Sequence, residues 1–219
     1  ITTTFVENPD DPESWRAAVQ PNTKAFFGES ISNPKNDILD IEAVAKVAHE
    51  VGVPLIIDNT VATPYLIRPL EWGADVVVHS ATKFLGGHGT SLGGVVAESG
   101  RFDWGNGRFP VMTEPVASYG GLTWWGNFGE YAFCTRLRAE QLRDVGPALS
   151  PFNAWLTLQG IETLPPRMDR ICDNTLALAK FLQSHDKVEW VRYAGLPDHP
   201  DHALAQRQMG GKASGILSF

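Results

Sequence analysis

Cysteine is scarce in this chain: Cys134 and Cys172 stand alone among 219 residues, far apart and with no CxxC spacing. That excludes a disulfide framework. It is the cysteine usage of a reduced, cytoplasmic protein, with both thiols packed as small apolar groups. Basic runs are missing as well. Eighteen Lys and Arg against 25 Asp and Glu leave a formal net charge of −7, which makes nucleic acid and anionic membrane poor partners. No apolar run approaches the roughly 20 residues of a membrane span. Nucleotide loops are absent too: the chain holds no G-x-G-x-x-G between a strand and a helix. Gly86-Gly87-His88-Gly89 follows its lysine, whereas a phosphate loop of the GxxxxGK[ST] type precedes it. His79, His88, His199 and His202 lack metal-ligand spacing, and Pro197-Asp198-His199-Pro200-Asp201-His202 reads as a polar surface loop, so no metal is expected.

What remains is a chain with 43% hydrophobic residues, enough for a sizeable core in one domain or somewhat more. Residues 1–6 (Ile-Thr-Thr-Thr-Phe-Val) read as a strand, and Gly215 to Phe219 stops in the same manner. With no initiator methionine, a piece of a longer protein, truncated at both ends, is expected. Asp11-Pro12 opens a helix to about Gln20, and 23–28 reads as the next strand. Asp40 caps an amphipathic helix with Ile41, Val44, Ala45, Val47, Ala48 and Val51 on one face, ended by Gly52. Strands follow at 53–57 and 74–79, separated by a short crossover around Leu66 to Trp72, and Thr90 to Glu98 returns as a further strand. Residues 100–130, rich in Gly, Trp and Phe, read as a long ordered insertion. Ser150-Pro151 opens another helix, Pro165-Pro166 interrupts it, and helical spacing resumes from Met168 to Ser184. Val188 to Val191 alternates like a strand.

Strand–helix alternation of this kind gives an α/β fold with a mostly parallel sheet and helices on both faces. A large unit over 1–163 and the start of a smaller C-terminal α/β unit over 164–219 are expected. Ligands of such sheets bind outside the carboxyl ends of the strands. Asp58 ends one strand there. Ser80-Ala81-Thr82-Lys83 follows the next, with glycines just beyond that permit close backbone approach to a ligand. A carboxylate and a hydroxyl-rich lysine loop on adjacent strand ends suit pyridoxal 5'-phosphate (PLP). The lysine bonds the cofactor's carbonyl carbon, the carboxylate pairs with the pyridine nitrogen, and the hydroxyls hold phosphate. Asn33, before Pro34, is either a turn former or a partner of the ring hydroxyl.

Asp58-Asn59-Thr60 together with Ser80-Ala81-Thr82-Lys83-Phe84-Leu85-Gly86-Gly87-His88 resembles the Cys/Met-metabolism family of PLP-dependent enzymes. Ser30 to Pro34 and Leu158 to Leu164 extend the resemblance over nearly the whole chain. The resemblance implies the PLP-dependent transferase fold of type I. It also implies Lys83 as the cofactor lysine, Asp58 at the pyridine nitrogen, Ser80 and Thr82 at the phosphate, and Asn33 beside the ring. Phe102 to Pro110, Thr113-Glu114-Pro115, Ser118-Tyr119, Ser150 to Ala154 and Tyr193 to Pro197 are similar to the members that act on O-acetylhomoserine. These are sulfhydrylases that replace acetate by sulfide to give homocysteine, in methionine biosynthesis. Methionine γ-lyase and cystathionine γ-synthase share the core residues and are the alternatives; a non-catalytic scaffold is the remote one. The family further implies small amino-acid substrates and a homotetramer with active sites shared between subunits. It also places a stacking aromatic, a phosphate turn and a Tyr-x-Arg pair upstream of Ile1, and a carboxylate-binding arginine beyond Phe219.

Overall fold

The computed structural model describes residues 1–219 as a four-stranded sheet with helices before, between and after its strands. In chain order the elements are α1 (Pro12–Ala17), β1 (Phe26–Glu29), α2 (Ile41–Glu50), β2 (Leu55–Asp58), α3 (Thr63–Leu66), β3 (Val76–Ser80) and β4 (Gly94–Glu98). Then come α4 (Pro110–Thr113), α5 (Trp124–Phe128), α6 (Ala132–Arg136), α7 (Pro151–Glu162), α8 (Leu164–Gln183) and α9 (His202–Met209). The strands lie side by side in the order β1-β2-β3-β4. The first three are parallel and β4 returns antiparallel, pairing Ser80 with Gly94 and Val76 with Glu98. The fold is a mixed α/β sheet, parallel but for its last strand.

Local chemistry accounts for the elements. Asp40 caps α2 by accepting from Ala43 N at 3.2 Å, and Ile41, Val44, Ala45, Val47 and Ala48 are buried. Ser150 caps α7 through Asn153 N, with Pro151 in the first turn, the position where proline's missing N–H costs nothing. One sheet face, with Phe26, Leu55, Ile57 and Val77, sits in the main core of 30 buried residues. Met168 and Cys172 of α8, and Tyr193, Leu196 and Ala213 beyond it, join the same core.

Several expectations are corrected. Residues 1–6 form no strand: Ile1 and Phe5 are exposed, and the segment runs past β1 without pairing, leaving a cleft of about 910 Å³ between 1–6 and 23–29. β-branched residues favour a strand only when a partner satisfies their backbone groups. Val188 to Val191 likewise stays unpaired, and only Arg192 bridges to Ser218. Pro165 and Pro166 do not interrupt the helical run from within: they occupy the first turn of α8, and the break falls at Thr163. The insertion after β4 is built around a core of its own, formed by Phe102, Trp104, Phe109, Met112, Trp124 and Ala132. Trp104 stacks on Phe133 with centroids 5.2 Å apart. Cys134 beside it is free, and burial, then Glu98, pushes its thiol up to about 11, which leaves it unreactive. No helix is long and apolar enough to cross a membrane.

The run 197–202 is not a plain surface loop either. His199 is only 7% exposed because loops distant in sequence close over it. Asp37, His199 and Asp201 converge there. Asp201 N donates to His199 Nδ1 at 3.1 Å, so the neutral ring carries its proton on Nε2, the wrong tautomer for a metal at that nitrogen. Arg192 already pairs with Asp37. One ion pair and backbone hydrogen bonds, including Ile38 N to Asp201 Oδ2 at 2.9 Å, hold the cluster together.

Burial lowers the pKa of both His79 and His199 below 6.5. The unfolded chain therefore binds more protons than the folded one as pH drops below about 6.5. Stability rises with pH through that window and is lost as pH falls through it. Melting of the complete cofactor-free protein should show this acid loss. A His79→Gln, His199→Gln double variant should flatten it; an unchanged slope would contradict the assignment.

Candidate active site

The three parallel strands deliver their carboxyl ends to one edge. Glu29 lies opposite Asp58, and Asp58 opposite Val78; since side chains alternate along a strand, Asp58 and Ser80 fall on the same sheet face. The turns beyond the strands are stitched together. Ser30 N donates to Asp58 O at 3.0 Å, Asn59 N to Val78 O at 2.9 Å, and Ala81 N to Gly93 O at 2.9 Å. Asn59, fully buried, accepts from Ser30 Oγ at 2.7 Å and donates to Ile67 O at 2.9 Å. Ser80 N donates to Thr60 Oγ1 at 2.8 Å. A satisfied buried network of this kind fixes the backbone around Asp58.

The structure brings four of the five expected residues to adjacent turns on β2 and β3 or just beyond them. Asp58 Oδ1 accepts from Thr60 N at 2.9 Å, which leaves Oδ2 free. Ser80 is half-buried and its hydroxyl has no partner within the chain. Thr82 Oγ1 accepts from Gly93 N at 3.2 Å and reaches Gly93 O at 3.4 Å, so it ties the lysine turn to the start of β4. Lys83 is exposed and makes no ion pair; its backbone carbonyl accepts from Gly87 N at 2.8 Å. Asn33 stands apart, on the exposed loop after β1, where its N–H donates to Glu29 Oε2 at 3.2 Å. The 910 Å³ cleft lies along β1 rather than at the lysine turn; size does not locate the chemistry here.

The donor set fits PLP. A free carboxylate oxygen, a free hydroxyl and a free primary amine sit on one edge, matching a protonated ring nitrogen, a phosphate and a carbonyl carbon in turn.

Two residues outside the expected set support this edge. Gly160, in the last turn of α7, comes so close to the lysine turn that a Cβ there would stand 2.1 Å from Gly86 O and 2.8 Å from Leu85 O. Arg167 of α8 reaches the same turn and donates to Phe84 O at 2.9 Å. Alanine in a helix gains about 1 kcal/mol over glycine. Against backbone at 2.1 Å, overpacking costs about 1–3 kcal/mol and prevails. Gly160→Ala should therefore lower the melting temperature of the complete protein; a rise would show that the turn yields.

A model of the Cys/Met metabolism PLP-dependent enzyme family matches residues 1–219. The chain is 54% identical to O-acetyl-L-homoserine sulfhydrylase of Leptospira meyeri, over 93% of this chain and 48% of that protein. It is 48% identical to homocysteine synthase of Schizosaccharomyces pombe, over 100% of this chain and 52% of that one. In structure it is similar to a Campylobacter jejuni protein assigned as an O-acetylhomoserine (thiol)-lyase, which carries an N'-pyridoxyl-lysine-5'-monophosphate residue. The TM-score is 0.91 and the identity 38%, covering 96% of this chain and 53% of that one. The chain spans about half the length of the relatives it matches.

Proposed function

The chain belongs to the Cys/Met metabolism PLP-dependent enzyme family, and from that premise we propose that the complete protein catalyses γ-replacement on O-acetylhomoserine. Hydrosulfide takes the place of acetate at Cγ, so that a C–S bond forms, a C–O bond breaks, and homocysteine and acetate leave. The observation that carries this reading is the shared edge of Asp58, Ser80 and Lys83, whose free oxygen, hydroxyl and amine match the cofactor's polar groups. The resemblance to sulfhydrylases supports the choice of substrate.

When bound, PLP supplies an electron-withdrawing ring that stabilises negative charge at the substrate's Cα. Lys83 would hold the cofactor through Nζ, and its amine would move protons at the substrate's Cα and Cβ as a general base and acid. Asp58 would keep a proton on the pyridine nitrogen by setting its negative charge beside it. Ser80 would donate to the phosphate, and Thr82 would join it by turning its hydroxyl away from Gly93 O; Asn33, whose loop stands apart from this edge, is assigned to the ring hydroxyl by the family resemblance alone.

The same premise supports three coarser assignments. Residues 1–163 belong to the larger, cofactor-binding unit and 164–219 begin the smaller one; the helix break at Thr163 supports the boundary. The protein is a homo-oligomer, a tetramer by family habit. Phe152, Trp155, Leu158 and Ile161 form an exposed apolar stripe on α7 of the kind that assembly covers. A monomer by light scattering of the complete protein would contradict this. The free cysteines support a cytoplasmic location, which fractionation checks.

Product analysis of the complete protein tests the function. Homocysteine and acetate from O-acetylhomoserine plus sulfide are expected. An α-keto acid formed from methionine instead would indicate a γ-lyase, and cystathionine formed with cysteine a cystathionine synthase.

A further inference from the structure

The turn carrying Lys83 is gripped from behind by one side chain. Arg167, in the first turns of α8, donates through Nη1 to Phe84 O at 2.9 Å and through Nη2 to Gly160 O at 2.7 Å, with a longer Nη2 contact to Leu85 O at 3.4 Å. Its Nε donates to Thr163 Oγ1 at 3.1 Å. Every acceptor is a neutral oxygen, and no carboxylate pairs with the guanidinium; burial alone acts on it. A partly buried cation without a counter-charge forfeits solvation, so ion-pair stabilisation does not explain it. A rigid planar fork that joins several carbonyls in fixed geometry does.

The surroundings are shaped for that fork. Gly87 has φ +75°, and a Cβ there would lie 2.6 Å from Arg167 Cζ, so the guanidinium rests against the bare Cα. On the other side Gly160 admits Gly86 O to contact with α7. Arg167 thus bridges the carbonyl of Gly160 near the end of α7, which also accepts from Thr163 N at 3.3 Å and Thr163 Oγ1 at 3.2 Å, and the carbonyls of the two residues that follow Lys83. The turn itself is short: Gly86 N donates to Ala81 O at 2.9 Å and Gly87 N to Lys83 O at 2.8 Å. Any slip of Phe84 or Leu85 therefore moves the lysine's Cα.

We propose that Arg167 is a positioning residue for Lys83, fixing the lysine turn against α7 so that the amine starts from one place. The proposal rests on the reading of Lys83 as the cofactor lysine. It assigns a role to the α7–α8 junction, some 80 residues from the lysine in sequence. Misplacing a reacting group by about 1 Å can cost on the order of 10²-fold in rate, which sets the scale of the expected effect.

The test uses the complete holoenzyme, with Arg167→Ala and Arg167→Lys. Borohydride reduction of the wild type, followed by peptide mapping, is read first. Label on a lysine other than Lys83 overturns the underlying reading and this proposal with it. With label on Lys83, both variants should lose roughly 10–100-fold in kcat with KM within about threefold of wild type. The pH midpoint of the cofactor's absorption band should also shift. Added guanidinium ion should restore part of the kcat of Arg167→Ala. In the cofactor-free proteins, amide hydrogen exchange should quicken over 81–90 and stay unchanged over 41–58. Wild-type kcat, band and exchange in either variant would overturn the proposal while leaving the Lys83 assignment intact. So would an exchange increase spread evenly over the sheet, which would mark a merely structural role. Should Arg167→Ala fail to fold, Arg167→Lys carries the same measurements, because it keeps the charge and length but lacks the fork.

Discussion

Replacing Lys83 by alanine in the complete protein should cut turnover of O-acetylhomoserine by roughly 10³-fold or more, since positioned proton transfer alone contributes about 10²–10⁴-fold and the attachment of the cofactor is lost with it. The fold should be indifferent. Lys83 is exposed and makes no ion pair, and the turn is held by backbone bonds from Gly86 and Gly87 together with Arg167. A melting temperature of the cofactor-free protein unchanged by the substitution, beside abolished turnover, is the expected pairing. Turnover within a few-fold of wild type would remove Lys83 from the chemistry.

Asp58→Asn should be nearly as severe, by a different route. An asparagine oxygen can still accept from Thr60 N, now 2.9 Å from Asp58 Oδ1, so the turn after β2 should keep its shape. What disappears is the negative charge facing the ring nitrogen. Removing one preorganised electrostatic partner costs about 10²–10³-fold in kcat. Cofactor retention should survive through Lys83, Ser80 and Thr82, so the loss should appear in kcat with bound cofactor still visible in absorbance. Near-normal kcat in Asp58→Asn would assign the carboxylate to turn structure alone.

How far the site could be read in the sequence follows the range of the interactions involved. β2 and β3 are short runs of β-branched and aliphatic residues that end in Asp58 and Ser80, so both strand ends and their polar residues are visible locally. The helix α2 announces itself by Asp40, its apolar periodicity and Gly52. Arg167 gives no such signal: its partners are main-chain carbonyls at Phe84, Leu85 and Gly160, and carbonyls leave no trace in residue type. Gly160 offered a faint one. A glycine inside a helix of otherwise good formers is unfavourable and implies something close by, here Gly86 O. Residues 1–6 misled because β-propensity records side-chain preference and not the presence of a neighbouring strand. His199 misled because Asp37, which converges on it, comes from a loop far away in the chain.

Every role assigned to this edge depends on which lysine holds the cofactor. The direct measurement is borohydride reduction of the complete PLP-loaded protein, followed by digestion and mass spectrometry of the pyridoxyl-labelled peptide. One labelled peptide spanning Ser80 to His88 is expected, with the pyridoxyl group on Lys83; label on Lys24, Lys46 or any other lysine, with Lys83 unmodified, would contradict the assignment.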